Sequence, residues 1–133
     1  MKYLVSYGAT ALVFFALDFI WLSTATPFYR ERLGELLLEK PSLQVAGLFY
    51  LVYVGGVVVL AVLPALNTGT WINALIAGAV LGLVAYGTYD LTNQSTLRGW
   101  SSAVTFVDLA WGTVLTATAA TAGYLATRAS GLG

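Results

Sequence analysis

The sequence has no cysteine and no histidine, a single methionine, three prolines, and only six basic and six acidic residues in 133. Without cysteine or histidine there are no disulfides, no thiolate or imidazole metal ligands, no histidine-ligated haem and no histidine general base. Charged residues make up 9% of the chain, against roughly a quarter in soluble domains. A formal net charge of zero shows neither the basic footprint of a nucleic-acid binder nor a polybasic lipid-surface patch. Carboxylates, hydroxyls, amides and aromatic rings are what is left for chemistry. The residues therefore point to no metal ion and no cofactor.

What the chain has in quantity is apolar surface: 59% of its residues are hydrophobic and mean hydropathy is +0.82. No Lys, Arg, Asp or Glu occurs from Pro41 to Tyr89, and that stretch, interrupted by the polar turn "NTGT", fits two spans of about 20 residues each. Similar apolar runs lie on either side. We expect four spans, at about residues 3 to 26, 43 to 66, 71 to 91 and 103 to 127, in one transmembrane domain covering 1–133. The first run is too long, and its downstream flank too charged, to read as a removed signal peptide. Between spans one and two, "PFYRERLGELLLEKP" places Tyr29, Leu33, Leu36 and Leu37 on one stripe and Glu31, Glu35 and Glu39 on another face, so a short interfacial amphipathic helix is expected at about 28 to 40. The expected fold is all-α, a four-transmembrane-helix up-and-down bundle with that interfacial helix.

The rare acids carry the information. Asp18 lies eight residues before the end of the first span, roughly 12 Å inside that boundary, and Asp108 roughly 8 Å into the fourth. Asp90 closes the third. Because spans alternate in direction, all three aspartates belong to one half of the membrane. A lipid-facing acid at mid-membrane costs about 2.5 to 3.5 kcal/mol, so Asp18 and Asp108 should face the bundle interior and find partners. On span three, Ala74, Gly78, Gly82, Tyr86, Asp90 and Asn93 share one face, whose small residues allow close helix approach.

Spans one and four repeat a motif. "ALDFIW" and "FVDLAW" both read Asp-x-x-Trp, pairing Asp18 with Trp21 and Asp108 with Trp111 one turn apart on the same helix. Chance would give about 0.1 such pairs in a chain of this composition. An indole N–H can donate to a carboxylate, and the ring can wall a pocket. The candidate ligand-binding residues are therefore Asp18, Trp21, Tyr86, Thr88, Asp90, Asn93, Asp108 and Trp111. The same groups could instead only satisfy one another and lock the bundle.

"FALDFIWLS", "PFYRERLG", "AGLFYLVYVGG", "VLPAL", "GAVLGLVAYGTYDLTNQSTL" and "TFVDLAWGT" together resemble the bacterial family of membrane proteins catalogued as domain of unknown function 2177. The likeness spans nearly the whole chain. In the family pattern the corresponding positions are Asp18, Trp21, Tyr29, Tyr50, Tyr53, Pro64, Tyr86, Thr88, Tyr89, Asp90, Asn93, Trp100, Asp108 and Trp111. One departure is Ser101, where the pattern commonly has Pro. The resemblance implies a multi-pass protein of the inner cell membrane without an established activity, and an accessory place beside fatty-acyl modification enzymes.

Three functional classes follow. The polar cluster could bind an amphipathic or lipid-like molecule among the membrane lipids, with Tyr50, Tyr53, Trp21 and Trp111 as apolar walls; no nucleophile–base pair supports catalysis there. It could serve a small cation- or proton-coupled transporter or channel, since carboxylates and Thr or Asn oxygens suit hard cations. Or the chain could be a structural subunit, a homo-oligomer or part of a larger membrane complex, docking through the small-residue face "GTVLTATAATAG". Arg30, Arg32, Lys40 and Arg98 lie on one side against Lys2 and Arg128 on the other, which by the positive-inside rule opens the acidic side to the cytoplasm.

Overall fold

The computed structural model describes residues 1–132. It contains helices and turns, with no strand among the described residues: α1 (Lys2–Leu33), a single 3-10 turn (Gly34–Leu36), α2 (Leu43–Val57), a π turn (Val58–Val62), α3 (Leu63–Thr68), α4 (Trp71–Thr96) and α5 (Ser102–Ala129). Lys2–Leu36, Leu43–Thr68, Trp71–Thr96 and Ser102–Ala129 are each long and apolar enough to cross a membrane. The protein is a four-span membrane bundle.

Its solvation is inverted relative to a soluble protein. Leu12, Phe19, Leu48 and Phe106 are exposed on the outside, whereas Ser6, Thr10, Asp18, Asp90, Thr105, Thr116 and Thr127 are buried. Lipid is as apolar as leucine, so apolar side chains gain close packing but no desolvation by facing inward, while polar groups gain most by facing other helices.

The expected interfacial helix at about 28 to 40 does not form. Residues 27–33 are the last two turns of α1, which runs straight through Pro27. Proline removes one backbone donor and crowds the preceding turn. Ahead of it Ser23 donates to Phe19 O at 2.8 Å, Thr24 to Ile20 O at 3.1 Å and Thr26 to Leu22 O, a run of hydroxyl back-bonds of the kind that lets membrane helices absorb a proline. Gly34, at φ +52°, then stops the helix, its N–H on Arg30 O. Beyond the 3-10 turn, 37–42 is non-helical and is tethered by Arg30 Nη2 donating to Glu39 O at 3.2 Å.

The second span is one rod with a defect. Pro64 sits in the first turn of α3, directly after the π turn, and the wider π turn makes room for a ring that an α-helical turn would crowd. Gly69, at φ +79°, closes α3 with its N–H on Ala65 O at 2.8 Å. Ser42 and Ser101 cap α2 and α5, each accepting a main-chain N–H at 3.4 Å. Ser101 thus starts the fourth span where the family pattern commonly carries Pro.

α5 is the central helix, packed against α4 and α1. Along α4 the small residues decide the spacing: Gly82 meets the backbone of Gly112, and Gly112 leaves room for the Tyr86 ring. The small-residue face of α5, including Gly112, Thr116, Ala119, Ala120 and Gly123, is buried inside this one chain. Phe14, Val54, Val57, Val62, Leu115 and Tyr124 fill the rest of the core.

Candidate functional site

α1 and α5 run antiparallel, so as residue numbers rise on one they fall on the other. Ser6 meets Thr127, Asp18 meets Trp111 and Tyr29 meets Asp108. This register exchanges the partners expected from the Asp-x-x-Trp motifs. Trp111 Nε1 donates to Asp18 Oδ1 at 3.3 Å. Trp21 Nε1 donates to the Tyr29 hydroxyl at 3.1 Å, which donates in turn to Asp108 Oδ1 at 2.9 Å. The two indoles stack, centroids 4.5 Å apart and planes 8° from parallel. Residues three apart on one helix project side by side toward the neighbour rather than toward each other. Asp18 therefore pairs with the tryptophan of the opposite helix, whereas Asp108 is joined to Trp21 only through the Tyr29 hydroxyl.

Asp90, at the far end of α4, is fully buried and neither of its oxygens has a hydrogen-bond partner. The side chain acting on it is the Asp108 carboxyl. Two ionised carboxyls are both acceptors only, so neither could satisfy the other. Asp108 accepts from the Tyr29 hydroxyl.

Tyr50 and Tyr86 lie within electrostatic reach of both Asp18 and Asp108. The Tyr50 ring is held edge-on by Phe14 at 5.6 Å and Phe15 at 5.8 Å, and Tyr86 meets Tyr53 at 6.3 Å. Tyr53 in turn shares a hydrogen bond of 2.8 Å with Thr116. Of the residues singled out from sequence, Asp18, Trp21, Tyr86, Asp90, Asp108 and Trp111 are brought together. Thr88 is not: it is exposed, its hydroxyl on Val84 O at 2.7 Å. Asn93 is half-buried and interacts with Tyr89. Tyr29 was missed as a site residue because it was placed on a separate helix.

Residues 3–125 match the profile of the family described as "Predicted membrane protein (DUF2177)". The chain belongs to that family. No curated protein and no solved structure matches it. In this DUF2177 protein the helix pair α1–α2 leaves an open-sided groove of about 470 Å³, lined by Leu12, Phe15, Ala16, Asp18, Phe19, Leu22 and Tyr50. Five of the seven are apolar, Asp18 and Tyr50 are the two lining residues that carry side-chain oxygens, and the groove surface is almost wholly apolar. Leu12, Phe15, Phe19 and Leu22 are all exposed on the outside of the bundle, so the groove opens sideways, toward lipid.

Proposed function

We propose that this DUF2177 protein binds an amphipathic, lipid-like molecule in the α1–α2 groove, with the polar part of the ligand at Asp18 and its apolar part along Leu12, Phe15, Phe19 and Leu22. The observation that carries the reading is an acid, 6% exposed, at the wall of an apolar, lipid-facing groove. An acid serving only to lock the bundle would gain by complete enclosure, since each exposed part faces hydrocarbon. Aromatic walls with a few convergent polar groups are the usual make-up of a small-molecule site. The inner membrane is the setting we infer, because helical spans belong there and outer membranes hold barrels.

The test is retention. Wild-type protein extracted in polymer-bounded nanodiscs and released into native mass spectrometry is expected to carry a specific lipid-like mass. Ala16→Trp, which fills the groove from its lipid side, is expected to lose it. A wild-type protein with no retained amphiphile, or equal retention after Ala16→Trp, would overturn the reading.

A further inference from the structure

Asp90 is the buried acid that the hydrogen-bond pattern does not account for. Its exposure is 0%, and neither carboxyl oxygen has a hydrogen-bond partner. The side chain facing it is the Asp108 carboxyl, whose Oδ1 already accepts from the Tyr29 hydroxyl at 2.9 Å. Ionised together, the two carboxyls would repel in a low-dielectric setting, and Asp90 would have no donor at all. Positive charge has to accompany the pair.

The basic side chains of the protein are placed elsewhere. Lys2 opens α1 and Arg128 lies in the last turn of α5, at the end of the bundle where Ser6 meets Thr127. Arg30 Nη2 donates to Glu39 O at 3.2 Å, and Arg32 lies over the Phe28 ring at 4.8 Å. Lys40 and Arg98 are exposed, in the segments that follow α1 and α4. Tyr29 from α1 and Tyr89 on α4 are the other titratable groups within electrostatic reach of Asp90, and phenols are uncharged at neutral pH. The π turn packed on α4, Val58–Val62, carries no charged residue.

A metal ion fits poorly. Hard cations take about six or more oxygen ligands, and no group of three or more acidic side chains is gathered to hold one among the described residues. A proton needs neither further ligands nor a cavity.

We propose that Asp90 and Asp108 form a proton-binding site, and that at neutral pH the pair holds one exchangeable proton, carried on Asp90. Binding moves a proton from hydronium to a carboxylate oxygen, forming an O–H bond and leaving water. The pair passes from two negative charges to one, and Asp90 becomes a donor facing an acceptor. Asp108, half-buried in the first turns of α5, is the route of exchange. Because Tyr29 joins Asp108 to the last turns of α1, the charge of the α4–α5 joint answers to the pH on that side of the membrane. The site is separate from the groove, and neither proposal depends on the other.

Infrared spectroscopy of the protein in nanodiscs tests this, because a protonated carboxyl has a C=O stretch that an ionised one lacks. Aspartate carrying carbon-13 in its side-chain carboxyl separates that band from those of glutamate and lipid esters. At neutral pH wild type is expected to show one aspartic acid band that shifts in heavy water and is lost reversibly in alkali. Asp90→Asn is expected to lose it and Asp18→Asn to keep it. Asp108→Asn changes the group facing Asp90, so the band is expected to move or disappear.

No band in wild type at neutral pH, a band that persists in Asp90→Asn, or one that never exchanges in heavy water would overturn the proposal. Loss of the wild-type band on adding sodium or calcium chloride at constant pH would also overturn it and assign the pair to a metal cation. Should Asp90→Asn fail to fold, the other two variants decide: a band lost in Asp18→Asn, or unmoved in Asp108→Asn, does not belong to the pair, and the proposal falls.

Discussion

Replacing Gly78 by alanine tests whether the α4–α5 seam sets the geometry of the bundle. A Cβ at Gly78 would lie 2.8 Å from Thr116 O, 2.9 Å from Ala117 Cα and 2.9 Å from Ala120 Cβ. The first two are backbone atoms in the middle of a helix and cannot rotate away. Reaching an ordinary carbon contact of about 3.5 Å therefore means separating α4 from α5 by about 0.6 Å. That movement would loosen Gly82 against Gly112 one turn on, and Ala74 one turn back. Overpacking of this kind costs about 1 to 3 kcal/mol, and alanine's better helix propensity offsets up to about 1 kcal/mol of it. Gly56→Ala is the matched control, because nothing lies within 4 Å of a Cβ there and the propensity gain is the same. Unfolding in mixed dodecyl maltoside and dodecyl sulfate micelles, followed by far-ultraviolet circular dichroism, should place Gly78→Ala below Gly56→Ala by the full clash term of about 1 to 3 kcal/mol. If the two variants unfold at the same detergent ratio, the seam is not packed as described.

Tyr29→Phe removes the acceptor of Trp21 and the donor to Asp108 together, and the same unfolding assay should record a loss of about 1 to 3 kcal/mol with a shifted indole emission; unchanged stability and emission would show that the link between α1 and α5 is not made. Asp90→Asn keeps the shape, removes a buried acid that has no hydrogen-bond partner and adds an amide donor, so it should be at least as stable as wild type, whereas Asp90→Ala should be less stable by about 1 to 3 kcal/mol through the cavity it leaves; the reverse order would show that the Asp90 carboxyl is satisfied in place. Reconstituted in liposomes, the protein should show no proton or sodium current that disappears in Asp18→Asn, and an Asp18-dependent current would make transport the better reading.

The four spans were legible in the sequence because membrane crossing depends on length and apolarity, which composition shows directly. Inward-facing Asp18 and Asp108 followed from the cost of an acid in lipid. The path of the chain after Thr26 was not legible. The stripe Tyr29, Leu33, Leu36 and Leu37 is genuine, but Leu33 packs inward at the end of α1 while Leu36 is exposed, and periodicity alone does not show that hydroxyls at 23, 24 and 26 carry the helix past Pro27. The Asp-x-x-Trp repeat marked four residues that the fold brings together but not their hydrogen-bond partners, since a motif on one helix says nothing about the register of the helix opposite. Ser6, Thr10, Phe14 and Asp18 fall at i+4 spacing on α1. That signal was available and would have drawn the hydroxyl-bearing half of the interior into view.

Those two halves of the α1–α5 interface differ in what their polar groups are free to do. Toward the start of α1, Ser6 and Thr127 share a hydrogen bond of 2.8 Å and Thr127 also donates to Gly123 O at 2.7 Å, while Thr10 is packed on Gly123, where a Cβ would not fit. Ser6 and Thr127 thus satisfy one another across the two helices, whereas the Thr10 hydroxyl is buried without a hydrogen-bond partner. Fully buried Phe14 and Leu115 follow before the acids are reached, and an ion crossing that layer would lose its hydration without compensating oxygens. Beyond it the Asp18 and Asp108 carboxyls link α1 to α5, each accepting from a side chain of the other helix, while Asp90 on α4 is buried without a hydrogen-bond partner. Only Asp18 among them also lines the lateral groove. The interior is therefore a hydroxyl half joined to an acidic half, and of the three aspartates in the acidic half Asp18 is the one at the wall of the lateral groove.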